Sequence, residues 1–61
     1  RTTAMDNAFK QVVRSVIPDS YEDVFARFIS ASKDETFSAD GMKVRVVAPV
    51  NGGHMQLIIY Y

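Results

Sequence analysis

His54 is the chain's only histidine, and there is no cysteine. A metal site needs three or four ligands, and a nucleophile needs a base with an orienting group behind it. His54 follows Gly52 and Gly53, with no second histidine or thiolate to join it. It reads as a loop residue, and no metal and no cofactor is expected. Four of the seven carboxylates fall in two adjacent pairs, Glu22-Asp23 and Asp34-Glu35. Paired carboxylates do acid-base work when their surroundings separate their pKa values, but adjacent residues on a helix do not face each other. Glu22 and Asp23 suit the first turn of a helix, where its dipole favours negative charge. Asp34 and Glu35 sit at a helix-strand connection, where charge keeps the surface solvated. Gly52-Gly53 leads into a strand, so it cannot aim a helix N-terminus at a phosphate, and no phosphate-loop or dinucleotide fingerprint is present. No catalytic residue emerges, and the protein is expected not to be an enzyme.

The remaining chemistry is that of binding. Lys43, Arg45 and Tyr60, with Gln56 and with Thr36 and Ser38 nearby, would share one face of a sheet. Basic and aromatic residues on a sheet bind single-stranded nucleic acid by charge and stacking. The same face would carry Val47 and Ile58, which help packing and do nothing for phosphate contact. Aromatic residues are also enriched at protein interfaces. A helix-turn-helix around Pro18 is disfavoured, because the second helix begins Asp19-Ser20-Tyr21-Glu22-Asp23 and phosphates would repel that acidic end.

These residues must be positioned by five elements. Ala4, Met5, Ala8, Phe9, Val12, Val13, Val16 and Ile17 recur at the spacing of one apolar helix face, predicting a helix over about 4–17. Thr3 with Asp6 fits a capping box, and Pro18 ends the helix. A second helix is predicted over about 20–32, with Asp19 or Ser20 as N-cap. Its core stripe is Tyr21, Val24, Phe25, Phe28 and Ile29; Asp23 can pair with Arg27 at i, i+4, and Lys33 sits near its end. From Glu35 the period changes to two. Strands are predicted over about 35–39 and 42–48 around an Asp40-Gly41 hairpin turn. That turn sets Ser38 opposite Lys43, Phe37 opposite Val44 and Thr36 opposite Arg45. Phe37, Met42, Val44 and Val46 then share the core side. Pro49 cannot donate to a ladder, and Asn51-Gly52-Gly53 can turn tightly at positive φ. The last strand, about 55–61, carries no charge. It sends Met55, Leu57, Ile59 and Tyr61 to one face and Gln56, Ile58 and Tyr60 to the other. Either another subunit covers its far face and free edge, or the strand is central in the sheet of a longer protein and its place at the chain end is an accident of where the chain was cut.

A chain of 61 residues allows one domain and buries only about 60% of its unfolded surface. Without cysteine there is no disulfide or thiolate-metal staple, and oligomerisation is a common substitute. The seven basic and seven acidic residues cancel, but not evenly. An acidic middle, residues 19–40, lies between mildly basic ends, which argues against a general polyanion binder. No segment approaches the apolar length of a membrane span and no signal peptide is seen, so the default compartment is the cytoplasm and no membrane contact is expected. Arg1 in place of an initiator methionine suggests a processed, tagged or excised start.

Gly53-His54-Met55 resembles the scar that a cloning site leaves after a purification tag. On that reading Met55 was once a first residue and the chain is an engineered circular permutant or fusion, natively βααββ. A natural glycine loop between strands needs no engineer and is favoured.

The expected fold is α+β: a two-helix hairpin packed on one face of a three-stranded antiparallel β-meander, in αα-βββ order. The expected function is that of a non-enzymatic interaction or assembly module. Its partner is itself, as a homodimer, or a larger protein, met through the C-terminal strand or the outer sheet face at Val47, Ile58, Tyr60 and Tyr61. The alternative is a single-stranded nucleic-acid binder using Lys43, Arg45 and Tyr60.

Overall fold

Proline and glycine punctuate the chain where the elements change. In the computed structural model, which describes residues 2–49 and 51–61, α1 spans Thr3–Val16 and α2 spans Tyr21–Ser30. Strands β1 (Glu35–Ala39), β2 (Met42–Val47) and β3 (Gln56–Tyr60) follow. These bounds agree with the sequence-based ones to within two residues, the usual spread at element ends. The order is ααβββ and the sheet order β1-β2-β3, antiparallel throughout, which is the α+β meander the periodicity implies.

The helix ends differ from expectation in instructive ways. Thr2, not Thr3, is the N-cap of α1: its backbone is extended and its Oγ1 accepts the Met5 N–H at 3.1 Å. At the other end Ile17 leaves the helix before Pro18, its N–H still donating to the Val13 carbonyl at 2.8 Å. Ser20 holds the N-cap position of α2 but makes no side-chain cap; its hydroxyl is engaged elsewhere. Helix α2 ends at Ser30, whose Oγ donates back to the Ala26 carbonyl at 2.8 Å. Such back-bonding competes with the helical ladder. Ala31 is already extended, leaving Lys33 outside the helix.

Asp40 and Gly41 take φ of 52° and 76°, the left-handed pair of a tight hairpin turn. The resulting register places Thr36 opposite Arg45, Phe37 opposite Val44 and Ser38 opposite Lys43. A second left-handed pair, Asn51 at 52° and Gly52 at 79°, turns the chain towards β3.

Ile17, Val24, Val44 and Val46 are fully enclosed. Val13 of α1, Ile17 just past its end, Val24 of α2, Ala39 and Val44 form one buried cluster, with Phe9, Val16, Tyr21, Phe37, Met42, Leu57 and Ile59 packed against it. Phe9 stacks on Phe28 at 4.8 Å between ring centres and tilts against Phe25 at 5.8 Å. The stripe assigned to α1 is only half used. Ala4, Met5, Ala8 and Val12 are exposed, because the helix is apolar over a wider arc than one helix and one sheet can cover.

Candidate self-association surface

Each end of β1 carries an aspartate that reaches across the fold. Asp34, just before the strand, accepts the Ala48 N–H at 3.1 Å on Oδ1 and faces Arg45 Nη2 at 3.4 Å on Oδ2. Ala48 therefore leaves the ladder at the end of β2 and donates to a carboxylate instead. Asp40, just after β1, accepts the Ser20 hydroxyl at 2.8 Å and the Asp19 N–H at 2.9 Å. The interhelix turn is thereby pinned to the hairpin turn. Arg27 of α2 donates to Asp23 at 3.1 Å and to Glu35 of β1 at 2.8 Å, with its guanidinium 4.5 Å from the Phe37 ring centre. The hydrogen bond and charge of Asp23, with lesser help from Glu35, push the Arg27 pKa above its usual value against the cost of desolvation. Both ends of α2 are tied along β1 in this way. Of the two adjacent carboxylate pairs, Asp23, Asp34 and Glu35 are in ion pairs and Glu22 accepts the Tyr21 hydroxyl at 3.1 Å.

Against that well-tied side stands β3. It pairs with β2 alone, so one of its two backbone edges has no strand beside it. Within this chain β3 is an edge strand. Edge strands are ordinarily protected by charge, proline, bulges or covering elements. The β1 edge has Glu35 in an ion pair with Arg27; β3, with sequence QLIIY, has no charge at all.

The outer sheet face gathers the residues that the alternation singles out. Thr36, Arg45 and Ile58 lie side by side across the three strands, and so do Ser38, Lys43 and Tyr60; Val47 pairs with Gln56. Lys43 Nζ rests 4.9 Å from the Tyr60 ring centre, and Arg45 is held by Asp34. Val47 and Ile58 are half-buried among these neighbours, while Tyr60 is 47% exposed. Tyr61 lies past the end of β3 and is 95% exposed. His54 is exposed in the loop between β2 and β3. No pocket indents the described surface, and no cluster of His, Cys, Asp or Glu among the described residues could hold a metal ion.

The sequence reading left out the two aspartate ties, for which no local signal exists, and the exposed flank of α1. That flank did leave a trace: eight apolar positions in one helix are more than a two-layer domain can bury.

The fold and its surface define a two-layer α+β domain with one protected and one open sheet edge. No family model, curated protein or solved structure is similar to this chain. No described helix is long and apolar enough to cross a membrane.

Proposed function

We propose that the protein is a non-enzymatic assembly module that forms a homodimer through β3. The observation carrying this reading is the pairing of an uncharged edge strand with an unoccupied backbone ladder. Lengthwise antiparallel pairing of two β3 strands about a two-fold axis gives each edge N–H and C=O a partner and merges two three-stranded sheets into one. Ile58 and Tyr60 border the join on the outer face, with Val47 one strand further in on β2, and Tyr61 extends beyond it. Light scattering or sedimentation at high micromolar concentration tests the proposal: a dimer is expected, and a clean monomer would end it.

Single-stranded nucleic acid is the second reading, favoured by the common face of Lys43, Arg45 and Tyr60. It is weaker because the Lys43 ammonium already covers the Tyr60 ring and Arg45 already has a carboxylate. All three groups would have to give up partners to bind, since Lys43 and Tyr60 hold each other and Arg45 holds Asp34.

A further inference from the structure

The open edge of β3 is one layer of a two-layer flank, and the layer above it is also unprotected. Helix α2 lies along β1, tied through Arg27 to Glu35 and through Ser20 to Asp40. Helix α1 must then cover β2 and β3, and its Val13, with Ile17 just past its end, shares the buried cluster with Val44, against which Leu57 and Ile59 pack. The side of α1 turned towards α2 is marked by Lys10 over the Phe25 ring at 4.9 Å and Arg14 over the Tyr21 ring at 5.4 Å. Ala8 and Val12 each stand two residues from Lys10, about 200° around a helix of 3.6 residues per turn. They point away from α2, towards the side on which β3 has its free edge. Met5 joins them one turn earlier; it is 61% exposed and Val12 is 69% exposed.

This flank carries no charge. The ionisable residues of α1 are Asp6, Lys10 and Arg14, spaced at i, i+4 and i+8 along one stripe. The far side is Ala4, Met5, Ala8, Gln11, Val12 and Ser15, and the strand beside it is Gln56–Tyr60. A two-fold contact sets each surface against its own copy, so any charge near the axis would meet its like. A neutral flank suits such a contact, and the small side chains of Ala4 and Ala8 permit close approach of two helices.

Resting on the dimer reading above, we infer that a second copy of this chain docks on both layers at once, with α1 packing antiparallel on α1 of the partner directly above the paired β3 strands. The spacings agree. Paired strands lie about 4.8 Å apart, which puts the axis roughly 2.4 Å outside β3. A helix above the β2-β3 seam then lies about 10 Å from its copy, close to the 8–10 Å at which helices pack. Met5 of one copy meets Val12 of the other, on either side of an axis near Ala8 and Ile58. The size also calls for the second layer. A standard contact buries about 800 Å² per partner, near a fifth of the 4287 Å² surface. A five-residue edge about 17 Å long is too thin for that; adding the 14 residues of α1, about 21 Å long, doubles the contact and supplies its apolar part.

The test uses the full chain, whose lack of cysteine allows single-cysteine variants. Ala8→Cys should oxidise to a covalent dimer, while Ser38→Cys on the outer sheet face should not. Val12→Lys, at a position exposed in the monomer, should weaken dimerisation by about a hundredfold, since the symmetric contact loses two valines, with the helical circular dichroism unchanged. A dimer that survives Val12→Lys, or that cross-links through Ser38→Cys and not Ala8→Cys, overturns the α1 flank and leaves the β3 dimer standing. A wild-type monomer removes both.

Discussion

Ser20 and Asp40 stand twenty positions apart in the chain, and the Ser20 hydroxyl donates to Asp40 Oδ1 over 2.8 Å. With the Asp19 N–H on the other carboxylate oxygen, this one side chain joins the loop between the helices to the turn between the first two strands. Asp40 does so from a left-handed backbone conformation, φ 52°, that aspartate and asparagine tolerate better than most residues. The two demands on position 40 are separable. Asp40→Asn keeps the turn and should lower stability by about 1 kcal/mol; Asp40→Ala loses turn tolerance and both hydrogen bonds and should cost about 2–3 kcal/mol. Ser20→Ala should be non-additive with Asp40→Ala. Urea midpoints of wild type, the three single variants and the Ser20→Ala/Asp40→Ala double variant check this, and full additivity would show that the tie contributes nothing.

Ile17 is wholly enclosed and sits where α1 ends. Ile17→Ala should cost about 2–5 kcal/mol and Ile17→Val about 1 kcal/mol. A domain of this size holds roughly 3–9 kcal/mol in total. The alanine variant should therefore be largely unfolded at physiological temperature, by loss of far-ultraviolet circular dichroism, and the valine variant folded.

Arg27 bridges Asp23 and Glu35, and its pKa is raised. A basic group with a raised folded-state pKa stabilises fully below its unfolded value and loses that contribution only as pH climbs through the folded one. From about pH 6 to about pH 10 the Arg27→Gln variant should thus be less stable than wild type by a constant margin. Added salt should shrink the margin, because both pairs are exposed. A margin that changes across that interval would show that Arg27 acts through another titrating group.

Ile58→Lys places a charge at the middle of β3, beside the proposed two-fold axis. It should give a monomer by light scattering while the helical signal persists. If the variant remains dimeric, the β3 strand is not the contact.

For the nucleic-acid reading, a labelled oligonucleotide should bind at low salt and release as salt rises if phosphates are contacted. The engaged states of Lys43 and Arg45 lead us to expect no binding at either salt concentration. Salt-sensitive binding abolished by Tyr60→Ala would reverse the ranking of the two functions.

Much of the architecture is legible in the chain because its signals are local and concordant. Pro18 and the Asp40-Gly41 pair fix where two hairpins turn, and period-two alternation from Glu35 sets a register that the structure reproduces pair by pair. The outer-face set of Lys43, Arg45, Ile58 and Tyr60 follows from that register. What stayed hidden depends on distance in the chain. Asp34 and Asp40 read as surface charge and turn residue, since nothing near them in sequence announces Ala48 or Ser20. Thr2 and Thr3 are chemically equal as caps; which one serves is decided by where the backbone first becomes helical. For α1, the apolar pattern gave the helix and its core side, while the part facing outwards could be told apart only once α2 and the sheet had taken their places.

The sheet order has one more consequence, for the time course of folding. Every element lies beside its neighbour in the chain: helix by helix, then strand by strand. Closing short loops is inexpensive, and such topologies form quickly. The strand reached last is β3, joined through residues 48–55 and held along one side only. In native-state hydrogen exchange its amides should open first, well before those of β2, and dimerisation should slow their exchange more than that of any other element. On the proposed dimer, residues 56–60 would be both the first part of a lone subunit to open and the part with most to gain from meeting a second one.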